Sequence, residues 1–590
     1  MNTQSIEPAN RTFVRAASLT DLPPGGHLTV NLDGHVIALF HTPEGTFAVD
    51  NRCPHMGFPL DRGTVKDCIL TCHWHHARFD LHSGGAFDPW ADDVRAFPVK
   101  LEGGDIWIDL APRGDSRRHR VERLRDGIER NLSLVIGKSV IAMLDDTGDA
   151  REPFRIGLEF GTHYRRDGWG AGLTTLTCLM NLIPNLRDED RARAMFHGLC
   201  SVANDSDGHP PRFEMRPLPG NGASLAEIKR WLRKFVEVRD TEGAERCIVS
   251  AVRTGAAPRE VADMMFAAAT DHRYLDGGHT LDFSNKAFEA LDHAGWDLAE
   301  PVLASLARGY ATGDRMEESN SWRNPVDLVA ILEAAFEHIS DALALGRRAS
   351  RSSDQFGRDA LVPVILGDDP QAIVDAMLAA LREGCAPADL AGAVAYAAAL
   401  RIARFPVSNE FGDWDTAHHS FTFANAVHQS ARRVSSPELV RGIFDAATTV
   451  YLDRFLNVPA AKLPELNGAR NGKSASNRLA ELPALLDRQQ QVNQAGALVA
   501  EYLAADAATD ALLATLGSTL LREDRDFHTI QDVEAAVRQY SILKGTPAAA
   551  HVLIATTRYL AAHAPTVRAQ AQTYQIALRL NRGEHVFDEN

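Results

Sequence analysis

The 590-residue chain carries 62 Lys and Arg against 78 Asp and Glu, a formal charge of −16, and 45% of its residues are hydrophobic. That length predicts two to four globular domains. The negative balance argues against nucleic acid and anionic membrane as partners, because both are gripped by an excess of Lys and Arg.

The N-terminal MNTQSIEPANRT lacks a basic stretch followed by an apolar one, so no secretory signal is expected. The apolar run LSLVIGKSVIAML (132–144) is interrupted by Lys138 and is shorter than the ~18 residues that span a bilayer. The chain is therefore expected to be cytoplasmic, where cysteines act as ligands or core residues more often than as disulfides. Cys178, Cys200, Cys247 and Cys385 stand singly in helical stretches and are read as buried core.

Residues 12–110 read as short strands. HLTVNLDGHVIALF places an Asp33-Gly34 hairpin signal between alternating apolar runs, and TFAVDN, ARFDL and DIWIDL follow with Gly, Pro and Asp between them. Within this all-β segment, Cys53-Pro54-His55 is followed after sixteen residues by Cys72-His73-Trp74-His75. Two Cys and two His suit a tetrahedral zinc ion. They also suit a two-iron, two-sulfur cluster in which two thiolates hold one iron and two imidazoles the other.

The context favours the second. Gly57 after the first pair, ARFDLHSGGAF after the second, and Asp88-Pro89-Trp90 beyond it resemble the Rieske 2Fe-2S domain across residues 12–110. The resemblance implies Cys53, His55, Cys72 and His75 as cluster ligands, with Asp88-Pro89-Trp90 in the family's covering proline loop. Respiratory and photosynthetic members carry an extra cysteine in each ligand loop; here those places correspond to Phe58 and Trp74, so the segment resembles the soluble ferredoxin and oxygenase type. His76 stands where the family usually has Gly. His73 and His76 lie outside the ligand spacing, and Cys68 has no partner at motif spacing.

After APRGDSRRHR (111–120) the composition becomes Ala- and Leu-rich with helical spacing. The expected organisation is multidomain: an N-terminal all-β Rieske domain (1–112), then a large all-α part comprising a helical linker and first helical subdomain (113–235) and a helical-repeat domain (236–590). Irregular stretches at 203–224, 346–359 and 457–477 join its helical layers. The repeat is visible in RTGAAPREVADMMFAAA from Arg253 against REGCAPADLAGAVAYAA from Arg382, and in HTLDFSNKAFEAL from His279 against HSFTFANAVHQSA from His419. The offset grows from 129 to 140 residues, which places an eleven-residue insertion around FPVSNEFGDWD in the second copy.

Rieske domains fused to larger partners usually feed them electrons, so the helical part is expected to hold an acceptor. No segment matches the Asp-x-x-His-x-x-x-x-His of ring-hydroxylating oxygenases. His279 and His419 occupy equivalent places in the repeat, each read as opening a helix, where the dipole favours neutral imidazole. Phe283 and Phe423 lie one turn on, and Ala287 and Val427 a further turn, which puts both histidines on inward faces. His528 opens another helical stretch, Glu159 and His163 are four apart on one face, and His197 has apolar neighbours.

His279, His419 and His528 are the candidate catalytic residues, with Glu159, His163 and His197 as further metal candidates. Imidazole and carboxylate ligands with open positions suit non-haem iron. The expected function is a Rieske-dependent oxidoreductase that oxidises a small organic substrate with oxygen. The alternative is an electron carrier or redox sensor whose helical domain binds a partner. No Gly-rich nucleotide fingerprint is present, which implies a separate reductase or ferredoxin as donor.

Overall fold

The computed structural model describes residues 13–111, 116–220, 222–348, 357–466, 474–505, 508–584 and 586. The reading of a missing secretory signal and the exact boundary near residue 112 lie outside the described residues, as do parts of the three irregular stretches. Among the described residues ten strands precede twenty-three α-helices, so an all-β segment followed by a large helical part is what the chain forms. No helix among the described residues is long and apolar enough to cross a membrane.

Two compact units emerge: Met1–Asp149 with Gln572–Asn590, and Ala150–Ala571. In the first, β1 (Phe13–Ser18), β9 (Val99–Glu102) and β10 (Asp105–Asp109) form one sheet in the order β1-β10-β9. A second sheet runs β2 (His27–Leu32), β3 (His35–Thr42), β4 (Gly45–Asp50) and β8 (Ala96–Phe97). A third joins β5 (Thr64–Lys66), β6 (Ile69–Thr71) and β7 (Arg78–Asp80). Asp33 (φ 48°) and Gly34 (φ 81°) make the expected two-residue hairpin, with Leu32 opposite His35.

The first unit extends beyond its strands. Helices Ser116–Glu129 and Ser133–Thr147 belong to it, and the C-terminal residues return to it: Arg52 Nη2 donates to the carbonyls of Leu580 and Glu584, each at 2.8 Å.

In the second unit the repeat takes the form of helix pairs. Pro258–Ala269 and His279–Ala294 form the first pair, Pro387–Ala403 and Phe411–Arg433 the second. Pro258 and Pro387 sit in the first helical turn, where a missing N–H costs nothing. The expectation that His419 opens a helix is overturned. Glu410 and Asp413 form a reciprocal cap upstream, with the Glu410 N–H donating to Asp413 Oδ2 at 3.0 Å. The helix thus begins inside the insertion and puts His419 in its third turn, away from the dipole's influence. His279 and His528 do lie in first turns, of His279–Ala294 and Phe527–Leu543.

Helices of this unit bury polar side chains as well as apolar ones. Lys286 Nζ lies 2.6 Å from Glu534 Oε2 and 3.0 Å from Glu289 Oε2, while Asn181 Nδ2 donates to both carboxylates at 2.7 and 2.8 Å. His428 Nδ1 faces Gln539 Oε1 at 3.1 Å, and Gln539 Nε2 donates to Asn425 Oδ1 at 2.8 Å. These bonds satisfy groups whose burial would otherwise be costly, and they tie Phe411–Arg433 and His279–Ala294 to Phe527–Leu543.

Candidate functional site

Cys53 and His55 lie in the connection from β4 to β5, and Cys72 and His75 in that from β6 to β7. Each connection closes on itself through its backbone. Cys53 N–H donates to Phe58 O at 2.8 Å and Gly57 N–H to Cys53 O at 2.7 Å; Cys72 N–H donates to Ala77 O at 2.8 Å and His76 N–H to Cys72 O at 3.0 Å. Gly57 (φ 83°) and His76 (φ 64°) end the two closures in left-handed backbone. That conformation is why glycine is usual at the second position, and His76 holds it at a cost of roughly 1 kcal/mol.

Cys53 and Cys72 are buried and their thiols contact each other; the Cys53 hydrogen bond lowers Cys72 to about 6, against burial, with help from the Trp74 and His75 backbone N–H groups. The His55 and His75 rings lie 4.9 Å apart at 85°. Burial, then the charges of His75 and Lys138, lowers His55 to about 4, so it is neutral and ready to ligate. Its Nδ1 is buried without a hydrogen-bond partner among the described residues, and the His75 ring is exposed. No three of these four residues bring ligand atoms within 4.8 Å of one another, as one tetrahedral zinc requires. A thiol pair and an imidazole pair, set apart, fit a two-iron cluster instead.

The surroundings shape this site. Trp90 lies edge-on to His55 at 4.7 Å, and Phe58 and Trp74 face each other at 6.1 Å. His73 Nε2 pairs with Thr64 Oγ1 at 3.2 Å. Lys138, the charge that interrupts an apolar helix, donates from Nζ to Pro54 O at 2.8 Å and pairs with Asp92. Burial lowers it to about 8, so it is mostly cationic at pH 7 beside a ligand loop. A fixed positive charge favours the reduced, more negative cluster. Lys138→Met is therefore expected to lower the midpoint potential by about 50 mV, the one-electron equivalent of roughly 1 kcal/mol. Redox titration at pH 7 checks this; an unchanged or raised potential contradicts it.

The helical unit gathers a second set of residues. His279, His419 and His528 each offer one ring nitrogen, and the three nitrogens lie within 4.8 Å of one another; all three residues are half-buried. Ring centroids are 5.4 Å apart for His279 and His419, 6.0 Å for His279 and His528, and 4.5 Å for His419 and His528. His419 Nδ1 donates to the Asp415 carbonyl at 2.6 Å, which leaves Nε2 as the nitrogen available to a metal. Burial, then His419, His528 and His418, lowers His279 to about 3; burial, then His418 and His419, lowers His528 to about 4. Phe283 stacks on His279 at 5.1 Å and Phe527 lies tilted against His528 at 3.8 Å, giving the group an apolar flank.

Behind it stand residues that sequence reasoning left unassigned. His418 is fully buried, stacks on Tyr559 at 5.2 Å, and holds Nδ1 3.6 Å from Asp532 Oδ1. Tyr559 Oη donates to Asp415 Oδ1 at 3.0 Å, and His563 Nε2 is 3.4 Å from the same oxygen. The signal for Asp532 was its place four residues after His528, one turn on along the same helix face.

The other candidates lie apart. Glu159 does end a helix with His163, but Glu159 accepts from Arg155 Nε at 3.0 Å and His163 is exposed beside Glu214 at 3.9 Å. His197 is buried against Phe196 at 5.5 Å. Among the described residues none of these three joins a metal-sized group.

Residues 12–98 match the Rieske 2Fe-2S domain. The ferredoxin component of the naphthalene 1,2-dioxygenase system of Pseudomonas aeruginosa is 31% identical over 100 residues, 17% of this chain and 96% of that protein. The 3-phenylpropionate/cinnamic acid dioxygenase ferredoxin subunit of Escherichia coli O139:H28 is 36% identical over 103 residues, 17% of this chain and 94% of its own length. A solved structure, the ferredoxin of carbazole 1,9a-dioxygenase from Nocardioides aromaticivorans IC177, aligns over 17% of this chain and 99% of its own at 29% identity and a TM-score of 0.16.

Proposed function

The chain belongs to the Rieske 2Fe-2S family through its N-terminal residues, and from that premise we propose that its cluster domain passes electrons to a non-haem iron held by His279, His419 and His528, where a small organic substrate is oxidised by dioxygen. The observation that carries this reading is the approach of three imidazole nitrogens to within 4.8 Å on a chain that also bears a one-electron carrier. In this reading residues 236–590 furnish the iron ligands and residues 1–112 the cluster.

Iron held by imidazoles with coordination positions left over supplies a reducing centre for dioxygen. The chain's own residues do the rest. Depressed proton affinity keeps His279 and His528 neutral. The Asp415 carbonyl orients His419. Phe283 and Phe527 keep one flank apolar and favour an apolar substrate. The relatives are ferredoxin components of dioxygenase systems, which supports a separate reductase or ferredoxin as donor. None of the seven cysteines is in a disulfide; a reducing cytoplasm is the setting proposed for the chain.

Nitric oxide, a dioxygen surrogate, tests the reading. Added anaerobically to the ferrous-loaded full chain, it is expected to give a half-integer high-spin resonance beside the reduced Rieske signal. A spectrum holding the Rieske signal alone overturns the oxygenase reading and leaves the carrier or sensor in its place.

A further inference from the structure

A second group of ligating side chains lies in the first unit, away from the cluster loops. Glu44 sits in the β3–β4 turn, Cys68 in the β5–β6 turn and His82 just after β7. One ligand atom from each lies within 4.8 Å of the other two. His82 Nε2 is 3.3 Å from Glu44 Oε2, and Cys68 Sγ is 3.6 Å from Thr42 Oγ1. Cys68 is a buried residue while Glu44 and His82 are exposed, so the group opens to solvent on the side of the carboxylate and the imidazole.

The backbone that presents the sulfur is unusual. Three two-residue hairpins in this unit have both central residues at positive φ: Asp33-Gly34, Gly103-Gly104 and Asp67-Cys68. The first two place Asp-Gly and Gly-Gly there, the residues such turns favour. The third holds Asp67 at 53° and Cys68 at 56°; Asp is tolerated there as at Asp33, whereas the conformation costs Cys68 roughly 1–2 kcal/mol. Cys68 thus combines a strained backbone with a thiol within reach of a carboxylate and an imidazole, and such strain tends to persist at functional sites.

We propose that Glu44, Cys68 and His82 bind a zinc ion, with water completing the shell. Thiolate and imidazole together select zinc over the hard cations calcium and magnesium, and three protein ligands leave one position open. On binding, the Cys68 S–H bond breaks, an S–Zn bond forms, and the proton leaves to solvent with no change of oxidation state. Because Glu44 joins β3 to β4 and Cys68 joins β5 to β6, the ion ties the second sheet to the third.

The test uses the full chain with its cluster assembled, desalted after zinc addition and measured at the zinc X-ray edge, which iron does not disturb. Wild type is expected to retain one more zinc per chain than Cys68→Gly, with one sulfur neighbour at about 2.3 Å beside nitrogen and oxygen at about 2.0–2.2 Å. Glycine is chosen because it relieves the turn. His82→Gln, which leaves that turn intact, is expected to weaken binding by at least roughly tenfold with the cluster absorption unchanged. Zinc held at His279, His419 and His528 shows nitrogen neighbours only and is equal in wild type and Cys68→Gly, so the two sites are told apart. Equal zinc in wild type and Cys68→Gly, or zinc without a sulfur neighbour, overturns the proposal.

Discussion

His419→Ala is expected to abolish the nitric oxide-responsive iron and substrate oxidation while leaving the Rieske signal at full intensity. The imidazole is oriented by the Asp415 carbonyl through Nδ1, and its ring lies nearest of the three to its neighbour, 4.5 Å from His528. Removing an outer-shell partner of a metal typically costs about 10–100-fold in affinity or activity; removing a ligand costs more. Two imidazoles then remain where three stood. The variant should fold, because His419 is half-buried and alanine favours the helix interior it enters. Iron content, the nitric oxide resonance and the Rieske signal check this together. Retention of the resonance in His419→Ala contradicts the assignment.

Cys72→Ala is expected to act in the opposite sense. It removes the thiolate held down by Cys53 and by the backbone of Trp74 and His75, so the cluster and its sulfides are lost. Turnover with an external one-electron donor falls to background, a loss of at least roughly 10³-fold if the cluster is the route for electrons. The helical iron persists, because its ligands all lie in the other compact unit. The nitric oxide resonance of this variant, after chemical reduction, measures that persistence. The two substitutions separate electron supply from oxygen chemistry: one keeps the cluster without the iron, the other the iron without the cluster. Undiminished turnover in Cys72→Ala contradicts the supply role.

The Rieske segment was legible because its ligands are close in sequence and their spacing carries the chemistry. His279 and His419 could be singled out because the repeat displays them twice, and His528 because it opens a helical stretch. The position of His419 within its helix was not legible, since the cap that starts the helix at Phe411 lies in the insertion and depends on Glu410 and Asp413. Lys286, Glu289, Glu534 and His428 carry no local sequence signal of burial; the packed structure shows them buried and paired. Glu159 and His163 had the right spacing, but Arg155 engages Glu159 and His163 points toward Glu214. Lys138 was visible as a break in an apolar run, whereas its contact with Pro54 is long-range and carries no local signal.

The measurement that bears most directly on the account is iron and acid-labile sulfide content of anaerobically purified full-length protein, taken alongside paramagnetic resonance after reduction and after ferrous iron is added back. Three irons and two sulfides per chain are expected, with the third iron absent from His279→Ala and His419→Ala. Two irons and two sulfides, unchanged by added ferrous iron, would contradict this and make the chain a Rieske carrier or sensor.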